Sequence, residues 1–147
     1  MNEQLTIGDL STSDAIASAF KRDRKRRARG ERARMAEEEL GFQLKAHGLP
    51  LGVTQFQAAK HLGRKFSWDR GWPQFMVLME IQGGIFKRGG GAHSHPLNIL
   101  RDIEKQRYAA LLGYFVVPVT TDEVRKGEAL QWIVRVFEAR GWKRETP

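Results

Sequence analysis

The sequence predicts an α/β domain with a small mixed sheet, led by a basic N-terminal helical arm. Three observations carry this. Apolar periodicity changes along the chain in the order helix, three strands, helix, strand, helix. The strongest strand signals are MVLMEI (Met76–Ile81) and YFVVPVT (Tyr114–Thr120), separated by a stretch with helical spacing. Finally, the charge is concentrated: nine basic and two acidic residues between Lys21 and Arg34 supply +7 of the net +8. A length of 147 residues suits one domain with an appendage. We divide it into a flexible or helical arm over 1–34 and a domain over 35–147.

The first ten residues, MNEQLTIGDL, show no clear period and are expected to be loosely ordered. Ser11, Thr12 and Ser13 suit a helix cap and Asp14 a first turn, so a helix should enter the basic stretch, with Gly30 as a weak point or break. Beyond Arg34, Ala36, Leu40 and Leu44 mark one helical face, and Gly48 with Pro50 stops it. VTQFQAA (Val53–Ala59) is a short strand, His61–Lys65 a polar turn, and Phe66–Asp69 a second strand turning at Arg70-Gly71-Trp72-Pro73. Met76–Ile81 should be buried on both faces. Pro96 or Asn98 opens a helix carrying Leu100, Ile103, Leu111 and Leu112, and Gly113 closes it. Pro118 assigns the next strand to an edge or a strand end. Thr120 or Thr121 caps a last helical region with Val124, Leu130, Ile133 and Phe137 on its inner stripe, and Gly127 is placed to divide it. No internal repeat is present.

Composition excludes several chemistries. Without cysteine there are no disulfides, no thiol catalysis and no Cys-ligated zinc. No apolar run approaches the ~20 residues of a membrane span, and the N-terminus lacks a signal peptide's apolar stretch, so a cytoplasmic protein without a membrane partner is expected. The arm makes Lys21, Arg22, Arg24, Lys25, Arg26, Arg27 and Arg29 candidates for phosphate contact, because dense positive charge gives salt-dependent, sequence-independent affinity. Its other readings are a solvated helical lead-in or a localisation tract.

The candidate chemistry lies in acids. Asp69 ends one expected strand, and Glu80 lies eleven residues later near the end of the next. A hairpin between those strands brings both carboxylates to one end of the sheet, and Gln82 shares the face of Glu80 because the strand period is two. Two carboxylates with a nearby amide or carbonyl oxygen make a hard site suited to Mg²⁺ or Mn²⁺. Such a cation neutralises a phosphodiester and activates water. Strand acids are also ordinary surface residues, so spacing alone does not decide.

Trp68, Asp69, Trp72, Pro73, Glu80, Gln82, Gly83 and Gly84 keep the order and spacing of a known motif. This run resembles the core of the PD-(D/E)XK nuclease superfamily, especially small phage and prophage endonucleases and Holliday junction resolvase-like proteins. The likeness continues through His93, Asp102, Glu104, Lys105 and AALLGY (Ala109–Tyr114), and takes in Glu37, Leu40, Leu44 and Gly48. It covers roughly residues 35 to 140. It implies a restriction-endonuclease-like core of helix, three strands, helix and strand, with Asp69, Glu80 and Glu37 as metal ligands. Glu38 competes with Glu37 because the helix register is soft. Gln82 stands where many members have the catalytic lysine, and an amide supplies no positive charge. Lys105 is the candidate substitute, with a solvent-facing lysine as its other reading.

The loop GGIFKRGGGAHSH (83–95) fits neither GxGxxG nor GxxxxGK[ST], which argues against a nucleotide-triphosphate site. Lys87 and Arg88 on such a loop suit a DNA backbone. His93 matches a family position, whereas His95 has no such support, and His-x-His without a third ligand is a weak zinc signal. Trp68 and Trp72 have the means to stack on unpaired bases, but packing is the favoured reading.

The resemblance thus implies a Mg²⁺-dependent DNA endonuclease in the cytoplasm of a bacterium or phage-infected host. Branched DNA such as a Holliday junction is the substrate suggested, with a homodimer to cut two strands. The alternative is a non-catalytic nucleic-acid-binding protein on the same fold.

Overall fold

The computed structural model describes residues 7–83 and 96–144, with backbone alone for 7–12 and 96. Its elements are α1 (Ile7–Ala46), β1 (Val53–Phe56), β2 (Trp68–Trp72), β3 (Val77–Gln82), α2 (Pro96–Leu111), β4 (Phe115–Thr120), α3 (Thr121–Lys126) and α4 (Glu128–Ala139). The chain therefore folds as helix, three strands, helix, strand and two short helices around a small mixed sheet. Strands β1, β2 and β3 form an antiparallel meander, and β4 joins β3 in parallel. A parallel partner needs a crossover, which places α2 against the sheet between β3 and β4.

Two apolar clusters flank the sheet, and β3 feeds both. Val77 and Met79 join Leu40 and Leu44 of α1, Val117 and Val119 of β4, and Val124, Ile133 and Phe137 of α3 and α4. Leu78 joins Phe66, Trp68 and Ala109 in the second cluster. Period-two alternation thus buries β3 on both faces, as its unbroken apolar run predicts. β4 is an edge strand that accommodates Pro118.

The last two helices are set by local chemistry. The Thr120 hydroxyl accepts from the Glu123 N–H, and the Glu123 carboxylate accepts from the Thr120 N–H, a reciprocal capping box. Gly127 at φ 76° ends α3 and starts α4, a left-handed conformation that a β-carbon disfavours. These local signals agree with the expected division.

Three expectations need correction. The first helix begins at Ile7, ahead of the Ser11–Ser13 cap, and runs through Gly30 without a break for 40 residues. Good helix formers and i,i+4 ion pairs, Asp23–Arg27 and Arg34–Glu38, both at 2.8 Å, hold it on either side of the glycine. β2 does not turn at Arg70-Gly71-Trp72 but pairs through Trp72, and the turn falls on Pro73–Phe75. Burial explains the extension: the Trp72 indole N–H donates to the Pro50 carbonyl at 2.8 Å, and the Arg70 guanidinium donates to Leu51 O at 2.7 Å. β1 ends at Phe56, so the expected strand shortens; Lys60–Leu62 form a single helical turn. No helix among the described residues is long and apolar enough to cross a membrane.

Candidate functional site

The β2–β3 hairpin brings the two strand acids together. Arg70 pairs with Met79, which sets Asp69 abreast of Glu80 at the open end of the hairpin. Asp69 does not hang free: its Oδ2 accepts from the Ile81 N–H at 2.6 Å across the hairpin. Glu80 meets a cation delivered by α2, where Lys105 Nζ forms an ion pair with Glu80 Oε1. Both side chains are mostly shielded from solvent. The same ammonium sits 5.0 Å from the centre of the Trp68 ring, a cation–π contact. Burial lowers the Lys105 pKa, and the charge of Asp69 opposes that drop.

Helix α1 contributes from the other side. Glu37 Oε2 accepts from Gln55 Nε2 at 3.3 Å, whereas Glu37 Oε1 is buried without a hydrogen-bond partner. Burial raises the Glu37 pKa, the Gln55 hydrogen bond lowers it, and the neighbouring negative charge of Asp69 raises it again. Glu38 points away, paired with Arg34 on the exposed side of the helix. The structure therefore selects Glu37 from the two helix acids as the one beside Asp69.

Two residues behind the acids carry much of this geometry, and the sequence reading missed both. Arg70 is 5% exposed, and its guanidinium donates to Leu51 O and, at 3.4 Å, to Glu37 O, tying α1 to the sheet beside the acid. Burial lowers its pKa and the Glu37 charge counters that. Gly41 leaves the room: a β-carbon there would lie 3.3 Å from Arg70 Nη2. Gln55, at φ 49°, is held in the left-handed region while its amide bridges Glu37 and Ser67. The near-continuous burial of β2 was the available signal for Arg70: it lies between Trp68 and Trp72, which pack into the two different clusters, so a charged residue there is enclosed. A positive φ at glutamine leaves no comparable mark in sequence.

The other expected site residues are dispersed. Gln82 stands at the exposed end of β3, lining an open groove of about 600 Å³ with Asp102 and Ile103 of α2. Trp68 and Trp72 are both 0% exposed, so they pack and offer no face to a base. Lys21, Arg22, Arg24, Lys25, Arg26, Arg27 and Arg29 are exposed on α1. Lys87, Arg88 and His93 lie outside the described residues.

Two proteins of Mycobacterium tuberculosis align with this chain, "Uncharacterized protein MT2308" of strain CDC 1551 / Oshkosh and "Uncharacterized protein Rv2248" of strain ATCC 25618 / H37Rv. Each is 33% identical over 92 residues, or 61% of this chain. The chain spans 31% of the length of either relative. No family model and no solved structure matches. Similarity thus reaches well into the folded body but brings no stated activity with it.

As a donor set, Asp69, Glu80 and Glu37 offer only carboxylate oxygens, the ligands of hard divalent cations. The buried Glu37 Oε1 fits such an ion, since that oxygen accepts no hydrogen bond within the described fold. Among the described residues, no group of three or more His, Asp or Glu side chains is gathered closely enough to hold a metal by itself. One of the Glu80 oxygens is taken by Lys105. The arrangement is two acids and an ammonium around a hairpin end, with a third acid adjoining.

Proposed function

We propose that this chain is a Mg²⁺-dependent DNA endonuclease with a restriction-endonuclease-like core, hydrolysing phosphodiester bonds. The observation that carries the reading is the meeting of Lys105 from α2 with Glu80 at the hairpin end beside Asp69. In this reading Asp69 and Glu80 hold the cation, Glu37 supports it, and Mn²⁺ is an alternative to Mg²⁺. When bound, the ion supplies charge neutralisation at the phosphate and a lowered pKa for water.

The protein's own groups have separable roles. The Ile81 N–H fixes the rotamer of Asp69, and Arg70 fixes the helix segment that presents Glu37. Lys105 supplies the positive charge that Gln82 lacks, and its half-desolvated ammonium acts strongly because little water screens it. Gln82 orients water through its amide. The basic arm contributes affinity for the phosphate backbone. Such an enzyme would act in the cytoplasm; on a branched substrate such as a four-way junction, a homodimer would supply two sites.

Purified protein should cleave DNA with Mg²⁺ or Mn²⁺ and not in chelator. Asp69→Ala and Glu80→Ala should each abolish cleavage while circular dichroism shows a folded chain. Full activity in both would end the proposal. Comparing four-way junction, flap, single-stranded and linear duplex DNA tests the branched preference, which equal cleavage of all four would rule out.

A second reading has its own support. The Lys105–Glu80 ion pair, and the lack among the described residues of a three-acid metal group, favour a non-catalytic nucleic-acid-binding protein on this fold. Tight, salt-sensitive binding with no metal-dependent cleavage of any of the four substrates would decide for it.

A further inference from the structure

Helix α1 is two structures in one. Its C-terminal part packs into the core through Ala36, Leu40 and Leu44, whereas no side chain from Ser13 to Met35 is buried. At about 1.5 Å per residue, its 40 residues run for about 60 Å, so the basic segment projects from the body. The segment is unbroken, and the Asp23–Arg27 and Arg34–Glu38 pairs brace it on both sides of Gly30.

The cations on this projection are sorted by face. With about 100° between successive residues, Lys21, Arg22, Lys25, Arg29 and Arg32 fall within about 100° of one another around the helix. Asp23 and Glu31 lie on the opposite side, with Arg24, Arg27 and Arg34. Arg27 and Arg34 are engaged by Asp23 and Glu38, while the five stripe residues make no ion pair among the described residues. The stripe is therefore a line of uncompensated charge. Continued toward the C-terminus, the same angular window contains Ala36 and Leu40, the residues that face the sheet. The stripe points to the side of α1 on which the body and its acids lie.

We infer that α1 is a rigid lever which lays a DNA duplex along the Lys21–Arg32 stripe and directs it toward the body. This rests on the proposed nuclease reading only for what the duplex meets at the body end. Charge complementarity selects the occupant: a row of free cations on a straight rod matches regularly spaced phosphates. An anionic membrane is a poor match, because no large apolar residue lies between Phe20 and Met35 to bury among lipid chains.

The test is binding of the full chain to a 30-bp DNA duplex, read by fluorescence anisotropy in chelator so that cleavage plays no part. Two triple variants each remove three charges: K25Q/R29Q/R32Q on the stripe and R24Q/R27Q/R34Q on the far face. All six positions are exposed and glutamine is a good helix former, which circular dichroism at 222 nm verifies. The stripe variant should lower the log–log salt slope by about 2.7, so that its affinity falls about 40-fold less than wild type between 50 and 200 mM salt. The far-face variant should lose less than half of that slope. Equal losses in the two variants overturn the inference, as does a stripe-dependent preference for duplex RNA or phosphatidylserine vesicles over DNA. A chain that never cleaves but shows the face-specific slope refutes the nuclease reading and leaves the lever standing.

Discussion

Lys105 of α2 pairs with Glu80 of β3 over the face of the buried Trp68. The contact ties the crossover helix to the acid-bearing strand and gives this hairpin end its cation. Replacing Lys105 with Met should reduce metal-dependent cleavage by about 10²–10³-fold, the scale of losing one preorganised charge-stabilising donor. Lys105→Arg should recover part of it. Stability provides the control: Lys105→Met strands a mostly buried carboxylate, at a cost of about 1–3 kcal/mol. Adding Glu80→Gln should restore stability in urea melts without restoring cleavage, and a double variant that cleaves normally would remove both residues from the mechanism.

How much of this was legible in sequence depends on whether the signal was local. Thr120, Gly127 and Gly113 act through their immediate neighbours, and each terminates or starts a helix where sequence placed it. The pairing of the acids was legible because a hairpin is a near-neighbour event. Arg70-Gly71 read as a turn because the acceptors of the guanidinium, Leu51 O and Glu37 O, lie 19 and 33 residues away. Gly71 itself reflects a tertiary limit, since a β-carbon there would come within 2.4 Å of the Phe56 ring. Gln55 was invisible for the same reason: its left-handed backbone is tolerated because Glu37 and Ser67 hold its side chain.

The environment of Glu37 sets a pH dependence. Its pKa is raised above the ordinary 4.5, chiefly by burial. A raised carboxyl contributes its stability below the unfolded-state pKa and loses it as pH rises through the folded one. Ionised Glu37 therefore burdens the metal-free fold at neutral pH. In chelator, Glu37→Gln should stabilise the protein at pH 7.5 by about 0.5 kcal/mol, a figure discounted for partial exposure. The gain should vanish below pH 4.5. Thermal melts across that range check it, and an equal gain at both ends would show that charge is not the cause.

The joint between β4 and the last helices should be sensitive at two points. Thr120→Ala removes the hydroxyl half of the capping box and leaves the backbone N–H bond to Glu123, which should cost about 1 kcal/mol. Gly127→Ala forces a β-carbon into φ 76°, for about 1–2 kcal/mol. Beyond the residue and its two chain neighbours no atom lies within 4 Å of that new β-carbon, so any loss comes from the local backbone and not from crowding by the rest of the fold. Gly127→Asn, which tolerates the left-handed region better, should fall between glycine and alanine in chemical denaturation.

Gly30 separates the arm's stiffness from its charge. A β-carbon at this position meets nothing within 4 Å, and the residue lies inside an exposed helix. Gly30→Ala should therefore strengthen the helix by up to about 1 kcal/mol without disturbing the body. Gly30→Pro removes a backbone donor and clashes with the preceding turn, at about 3 kcal/mol, which an unpacked helix segment cannot offset. Neither substitution alters net charge. Ellipticity at 222 nm should rise slightly in the first and drop in the second, while the body's melting temperature stays constant in both. If the arm works as a rigid lever, Gly30→Pro should weaken duplex binding despite its full complement of cations, and Gly30→Ala should not. Identical binding by all three proteins would mean that the arm acts as a flexible polycation, with its helical geometry irrelevant.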